Sequence, residues 1–238
     1  PSICQQSFVS VGVFCVQGLV NPLGSNTVAG FSAALKVSTF AIMVMNALPN
    51  ALSSFAAQNI GAQDIKRVRQ GVRDCIIMSE LVIGSIIVLF FVAGQPILQL
   101  FLGSISVGIE YLLIVAPFYP LVGIKNCCDS ALRGGGAMGP FMITTLADLA
   151  LRVALAYIMV PMMGFAGVCY AYPLGWVIGT SISIIFYICN VWVPKYMRDA
   201  QKAGIHLPKI HRPAVAEPQQ HTAAPPARHG HFFHKRAN

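Results

Sequence analysis

Ionisable side chains stand inside or at the margins of long apolar runs, among them Lys36, Glu80, Lys125, Asp129, Asp148 and Arg152. A charge at the centre of a lipid bilayer costs about 2.5–3.5 kcal/mol on insertion scales, so such groups turn toward protein or water and find partners. Lys125 and Asp129 are four residues apart, and so are Asp148 and Arg152. On a helix each couple shares one face, which carries two opposite charges into a bundle together. Two chemistries follow. One carboxylate titrates or binds a cation while its neighbours tune it, or both couples are structural and fix the rotation of their helices. Lys36 has no opposite charge within a turn, and Glu80 lies near enough to the end of its run to reach Arg73. Amides add to the set. Gln6, Gln17 and Asn21 recur at roughly helical spacing in the first run, beside Gln5, and Asn46 and Asn50 follow in the second. Their side chains can hydrogen-bond substrate, ion or neighbouring helix.

The elements that must position these groups are six apolar stretches, at 3–22, 29–57, 75–100, 108–131, 139–161 and 166–193. Each has the ~17–25 residues or more that a helix needs to cross the hydrocarbon core. Lys and Arg occupy alternate gaps only: Lys66, Arg67, Arg69 and Arg73 after the second stretch, Arg133 after the fourth, and Lys195, Arg198 and Lys202 after the sixth. The gaps at 21–30, 103–108 and 161–167 hold neither. Positive residues stay inside, so both ends of the segment are expected in the cytoplasm, with the plasma membrane as the expected location. The fold class expected is an all-α membrane protein, a six-transmembrane-helix bundle over residues 1–193. A basic juxtamembrane segment at 194–212 could lie along lipid headgroups. Residues 213–238, rich in Pro, Ala, His and Gln, read as a disordered cytoplasmic tail. Pro49, Pro117, Pro120 and Pro173 interrupt apolar runs, and each is expected to kink or break its helix.

Composition excludes several function classes. The chain is 55% hydrophobic and 10% charged, where a soluble domain has about 25% charged residues. The net charge of +8 is not a nucleic-acid signal, because eight basic and two acidic residues from Lys195 onward account for +6 of it. None of the seven cysteines forms a CxxC, so metal and redox motifs are not expected and the thiols read as small buried hydrophobes. The His-rich run 228–234 could bind a metal weakly. No GxxxxGK[ST] is present, which disfavours direct nucleotide-driven work, and no nucleophile–base couple suggests an enzyme. The chain opens on Pro1 inside an apolar run, as a fragment of a longer gene would.

Two gap motifs carry a family resemblance. Gln58-Asn59-Ile60-Gly61-Ala62-Gln63, followed by Arg67 and Gly71, resembles the loop after the second helix of a repeat in the multidrug and toxic compound extrusion (MATE) family. Leu132-Arg133-Gly134-Gly135-Gly136 resembles its LRGxG loop after the fourth helix, and Gln5, Gln6, Ser7, Gln17, Asn21 and Gly24 look like the opening helix of its second repeat. Lys36 falls where many members carry a basic residue. The resemblance covers residues 1–193. It implies a twelve-helix secondary transporter whose two six-helix lobes enclose a cavity and exchange H⁺ or Na⁺ for lipophilic, mostly cationic organic compounds by alternating access. This chain would be the C-terminal lobe. Its partners would be an N-terminal six-helix lobe, membrane lipids and a small organic substrate, with no cofactor beyond the coupling ion. Phe8, Phe14, Phe40, Tyr111 and Tyr119 could offer cation–π faces. The norfloxacin-exporting branch carries a Glu in this first helix, where this sequence has Val9, and Asp129 does not fall on that branch's fourth-helix Asp. Two other readings stand beside this one. The first is a transporter of lipid-linked or anionic cargo with a basic cavity built from Lys36, Lys125 and Arg152. The second is a non-transporting membrane subunit.

Overall fold

The computed structural model describes residues 2–99 and 105–203. The tail expected at 213–238 and residues 204–212 of the basic segment before it lie outside the described residues. The described chain is helical: α1 (Ser2–Val20), α2 (Ser25–Gly61), α3 (Ile65–Gln99), α4 (Ile105–Val115), α5 (Tyr119–Gly134), α6 (Met138–Met163), α7 (Phe165–Ile188) and α8 (Lys195–Lys202). Five segments among the described residues are long and apolar enough to cross a membrane, and α1 is apolar over Val9–Leu23. Backbone polar groups have no water to bond in hydrocarbon, so helices that satisfy their own ladders are the expected solution.

The helices overrun the apolar stretches. α2 has 37 residues, about 55 Å at 1.5 Å per residue, well beyond a ~30 Å hydrocarbon core. The basic residues Lys66, Arg67, Arg69 and Arg73, expected in a gap, therefore lie within the first turns of α3. The connection shrinks to a tight turn through Gln63 at φ 62°. Asp64 caps the new helix, its Oδ1 accepting from the Arg67 amide at 3.2 Å. The gap expected at 161–167 likewise closes to Gly164 alone, and Pro161 falls inside α6 rather than in a loop.

The prolines divide into two kinds. Pro49 and Pro173 are absorbed inside α2 and α7. Pro117 breaks the fourth span, where Ala116–Phe118 form a single 3₁₀ turn between α4 and α5, and Pro120 then sits in the first turn of α5, where its missing amide costs nothing.

Packing forms two apolar cores stacked along the bundle. One holds Phe31, Met45, Tyr111, Val115, Tyr119 and Trp176. The other holds Leu52, Val68, Val72, Leu132, Phe141 and Trp192. Edge-on aromatic contacts run through the first, from Phe31 to Tyr111 at 5.4 Å, Tyr111 to Tyr172 at 5.7 Å and Tyr172 to Trp176 at 6.1 Å.

The Arg133-Gly134-Gly135-Gly136 corner closes the second core. Arg133 donates to Asn50 Oδ1 at 3.2 Å and Ser130 Oγ at 2.8 Å, and its guanidinium lies 5.4 Å over the Phe141 ring. Gly135 sits flush against the Trp192 carbonyl, with no room for a side chain, and Gly136 takes φ 75°. Gly135→Ala is therefore expected to lower stability by about 1–3 kcal/mol. Gly84→Ala, at a position with open space around it, is expected to leave thermal unfolding in detergent unchanged.

Candidate functional site: a buried charge cluster between the two cores

The four charges expected to pair on α5 and α6 do so, and the two couples meet. Lys125 Nζ donates to Asp129 Oδ2 at 2.7 Å on α5. Arg152 Nη2 donates to Asp148 Oδ2 at 2.8 Å on α6. The floor is α7, where Gly175 and Gly179 let the charged helices approach. A Cβ on Gly179 would stand 2.9 Å from Asp148 Cβ and 3.2 Å from Lys125 Cε, so both couples share one small volume. The sequence presents these glycines only as a weak GxxxG packing signal. Here they make space for charges rather than for a second bundle.

The carboxylates differ in how fully they are satisfied. Asp129, 4% exposed, accepts from Lys125 and also, on Oδ1, from Ser183 Oγ of α7 at 2.7 Å and Thr144 Oγ1 of α6 at 3.2 Å. Three helices are tied at one carboxylate. Asp148, 8% exposed, is bound through Oδ2 only, and its Oδ1 is buried without a hydrogen-bond partner. Buried polar atoms normally find partners, so this oxygen is an open acceptor. Arg152 is half in the same condition. Its Nε is unpartnered, and its guanidinium lies over the rings of Tyr172 at 4.9 Å and Trp176 at 5.8 Å. Those faces hold a cation without hydrogen-bonding it.

The other expected residues lie apart. Lys36 is exposed on α2 and makes no hydrogen bond or ion pair among the described residues. Asn46 is half-buried and accepts from Asn126 Nδ2 at 2.8 Å, joining α2 to α5 as glue. Gln17 is half-buried on α1, and Asn21 is exposed where the chain leaves that helix in a 3₁₀ turn. Gln6 belongs to α1, but its side chain falls outside those described. Of the aromatics expected to line a cavity, Tyr111 and Tyr119 are buried inside the first core, while Phe14 and Phe40 are exposed. Phe8 is outside the described side chains. Glu80 does not meet Arg73, which pairs with adjacent Asp74 at 3.3 Å. Instead its Oε1 is turned inward against Gly123, buried and unpartnered.

Sequence reasoning passed over Thr144 and Ser183. Hydroxyls are common in membrane helices, and nothing in their spacing points to Asp129 across two helix boundaries. Thr144 lies one turn before Asp148, a neighbour relation that marks it as sharing the Asp148 face.

An all-α bundle of apolar helices with ionisable groups buried between packed cores defines a class, the polytopic membrane protein. The MatE family model matches residues 1–158, and the chain belongs to that family, whose members are transporters rather than enzymes and need no cofactor. Among curated proteins it is similar to the probable multidrug resistance protein YoeA of Bacillus subtilis strain 168. The two are 28% identical over 202 residues, covering 82% of this chain and 43% of that protein. Among solved structures it resembles a crystal structure of MATE in the straight conformation, with TM-score 0.73 and 21% identity over 82% of this chain and 45% of the other. It also resembles a MOP superfamily transporter from Pyrococcus furiosus, described as having a binding pocket of reversed polarity that suggests a different function. That match has TM-score 0.67 and 20% identity over 82% of this chain and 45% of the other. The chain thus spans less than half the length of the relatives it matches.

The unequal satisfaction of the two carboxylates predicts unequal tolerance. Asp129→Asn leaves Lys125 buried with its counter-charge gone and is expected to cost about 3–5 kcal/mol. Asp148→Asn should cost less, because its amide nitrogen can take the place of the unpartnered Oδ1 while the oxygen still accepts from Arg152, whereas at Asp129 both oxygens accept and the nitrogen must displace one of them. Thermal unfolding of the two variants in detergent, against the parent chain, measures the difference.

Proposed function

We propose that the chain is the C-terminal half of a secondary active multidrug exporter, working with an N-terminal six-helix lobe. It exchanges H⁺ or Na⁺ for lipophilic, mostly cationic organic compounds by alternating access. Both ends of the segment are cytoplasmic and the membrane is the plasma membrane, a placement supported by the alternation of basic gaps. Family membership and the similarity to YoeA, a probable multidrug resistance protein, support the export reading.

The observation that carries the coupling role is the open Oδ1 of Asp148. A coupling carboxylate needs a free lone pair for the arriving ion and a counter-charge whose state changes when the ion binds. Asp148 has both. Asp129 has the second without the first, and Glu80 has the first without the second. With two carboxylates and two cations the cluster is neutral. A proton or Na⁺ on Asp148 makes it positive and competes with Arg152 for the carboxylate. Arg152 is then left to the faces of Tyr172 and Trp176 on α7. The ion thereby changes the contact between α6 and α7, a local charge event of the kind that biases a two-state element.

The second reading, export of an anionic or lipid-linked cargo, draws on one observation: Lys36 is an exposed cation on α2 with no ion pair among the described residues. The Pyrococcus furiosus transporter, described as having a binding pocket of reversed polarity that suggests a different function, supports weighing this reading.

The test is dye accumulation in an efflux-deficient host expressing the complete transporter. Export should stop when the ion gradient is collapsed and fall at least tenfold in Asp148→Asn, with the protein still present in the membrane. Glu80→Gln should retain most activity. Export that persists without a gradient overturns the mechanism. If Lys36→Ala instead abolishes binding of an anionic amphiphile and leaves cationic dyes untouched, the second reading replaces the first.

A further inference from the structure

Cys75 of α3 and Cys127 of α5 face one another, with their sulfurs 3.6 Å apart. Ser79, one turn along α3, closes a triangle: its Oγ lies 3.9 Å from Cys75 Sγ and 3.7 Å from Cys127 Sγ. Cys127 is 0%, Ser79 2% and Cys75 9% exposed. Both cysteines are free thiols set in the second core, beside Val72 and Ala131. They have no part in the coupling scheme above.

We propose that Cys75 and Cys127 form a binding site for a soft d¹⁰ metal cation, held by two sulfurs with the Ser79 hydroxyl as a weak third neighbour. Thiolate ligands select soft ions. Ligand number narrows the choice. Among the described residues no three or more His, Cys, Asp or Glu side chains gather, so the closed four-ligand shell of structural zinc is missing. Ions content with two ligands remain: Cu(I), Ag(I) and Hg(II). Charge narrows it further, because a buried site penalises net charge. Hg(II) reaches neutrality with both thiols deprotonated, releasing two protons. Cu(I) or Ag(I) reaches it with one thiolate and one intact thiol, releasing one.

The geometry fits a metal better than a disulfide. Two metal–sulfur bonds of about 2.3 Å set in line, the arrangement a two-ligand d¹⁰ ion adopts, place the sulfurs about 1 Å further apart than their present 3.6 Å, so the helices must open slightly to admit the ion. A disulfide needs the sulfurs to close by about 1.6 Å, across two packed helices. A bound cation ties α3 to α5, two residues from both Lys125 and Asp129.

The experiment titrates the full chain in detergent with Hg(II), in the presence of excess 2-mercaptoethanol. The competing monothiol outbids isolated cysteines but not a two-sulfur site. The expected result is saturation at one ion per chain, with X-ray absorption showing two protein sulfurs on mercury. Cys75→Ala and Cys127→Ala should each weaken binding at least tenfold, while Cys128→Ala and Cys189→Ala should leave it unchanged. Cys127→Ser, which keeps a buried hydroxyl in the triangle, serves if the alanine variants lose their monodisperse elution. Binding that ignores both Cys75 and Cys127 substitutions overturns the site. So does recovery of a Cys75–Cys127 cross-linked peptide from metal-free protein, which makes the pair an oxidised strap instead.

Discussion

A carboxylate buried among three helices sets the constraint on which the rest of this bundle depends. Asp129 is buried, and Lys125, Thr144 and Ser183 are the donors in place around it. That set of donors fixes the rotation of α5, α6 and α7 together. Apolar packing in a membrane does not do this alone, because lipid tails are as good a solvent for Leu as a neighbouring helix is. The specificity comes from polar groups that have one arrangement in which all are satisfied. Asp148 is the exception within that arrangement: it is held in position by its neighbours yet left with one oxygen uncommitted.

The helical period made the couples Lys125–Asp129 and Asp148–Arg152 legible, since a four-residue spacing puts two side chains on one face whatever the tertiary structure. Five of the six expected spans were legible for the same kind of reason, as bilayer thickness sets a minimum apolar length, while α1 is apolar over the shorter Val9–Leu23 among the described residues. What crossed between helices was not. The hydroxyls on Asp129 and the seating of Asp148 against Gly175 and Gly179 depend on which faces meet, and no spacing encodes that. Helix ends were misjudged because hydropathy marks the hydrocarbon boundary and not the end of hydrogen bonding. Lys66, Arg67, Arg69 and Arg73 could thus lie on a helix while reading as a gap. Tyr111 and Tyr119, which could have offered faces to a cavity, fill core space instead, because aromatic rings in an apolar run carry no sign of which face they line.

The family's loop motifs also acquire a physical reading. Arg133 reaches α2 through Asn50 and lies over Phe141 of α6, so one side chain gathers three helices at a corner. The glycines after it admit the Trp192 carbonyl and turn the chain. Substituting Lys for Arg would keep the charge and lose both the planar contact with the ring and the forked donors.

The stacking of two apolar cores, with polar groups between them, has a consequence for cooperativity. Cores that share few side chains can loosen separately, each with its own free energy of opening. The chain has two tryptophans, and they are divided between the cores, Trp176 in one and Trp192 in the other. Intrinsic fluorescence is therefore a two-channel reporter built into the molecule, with one indole for each layer.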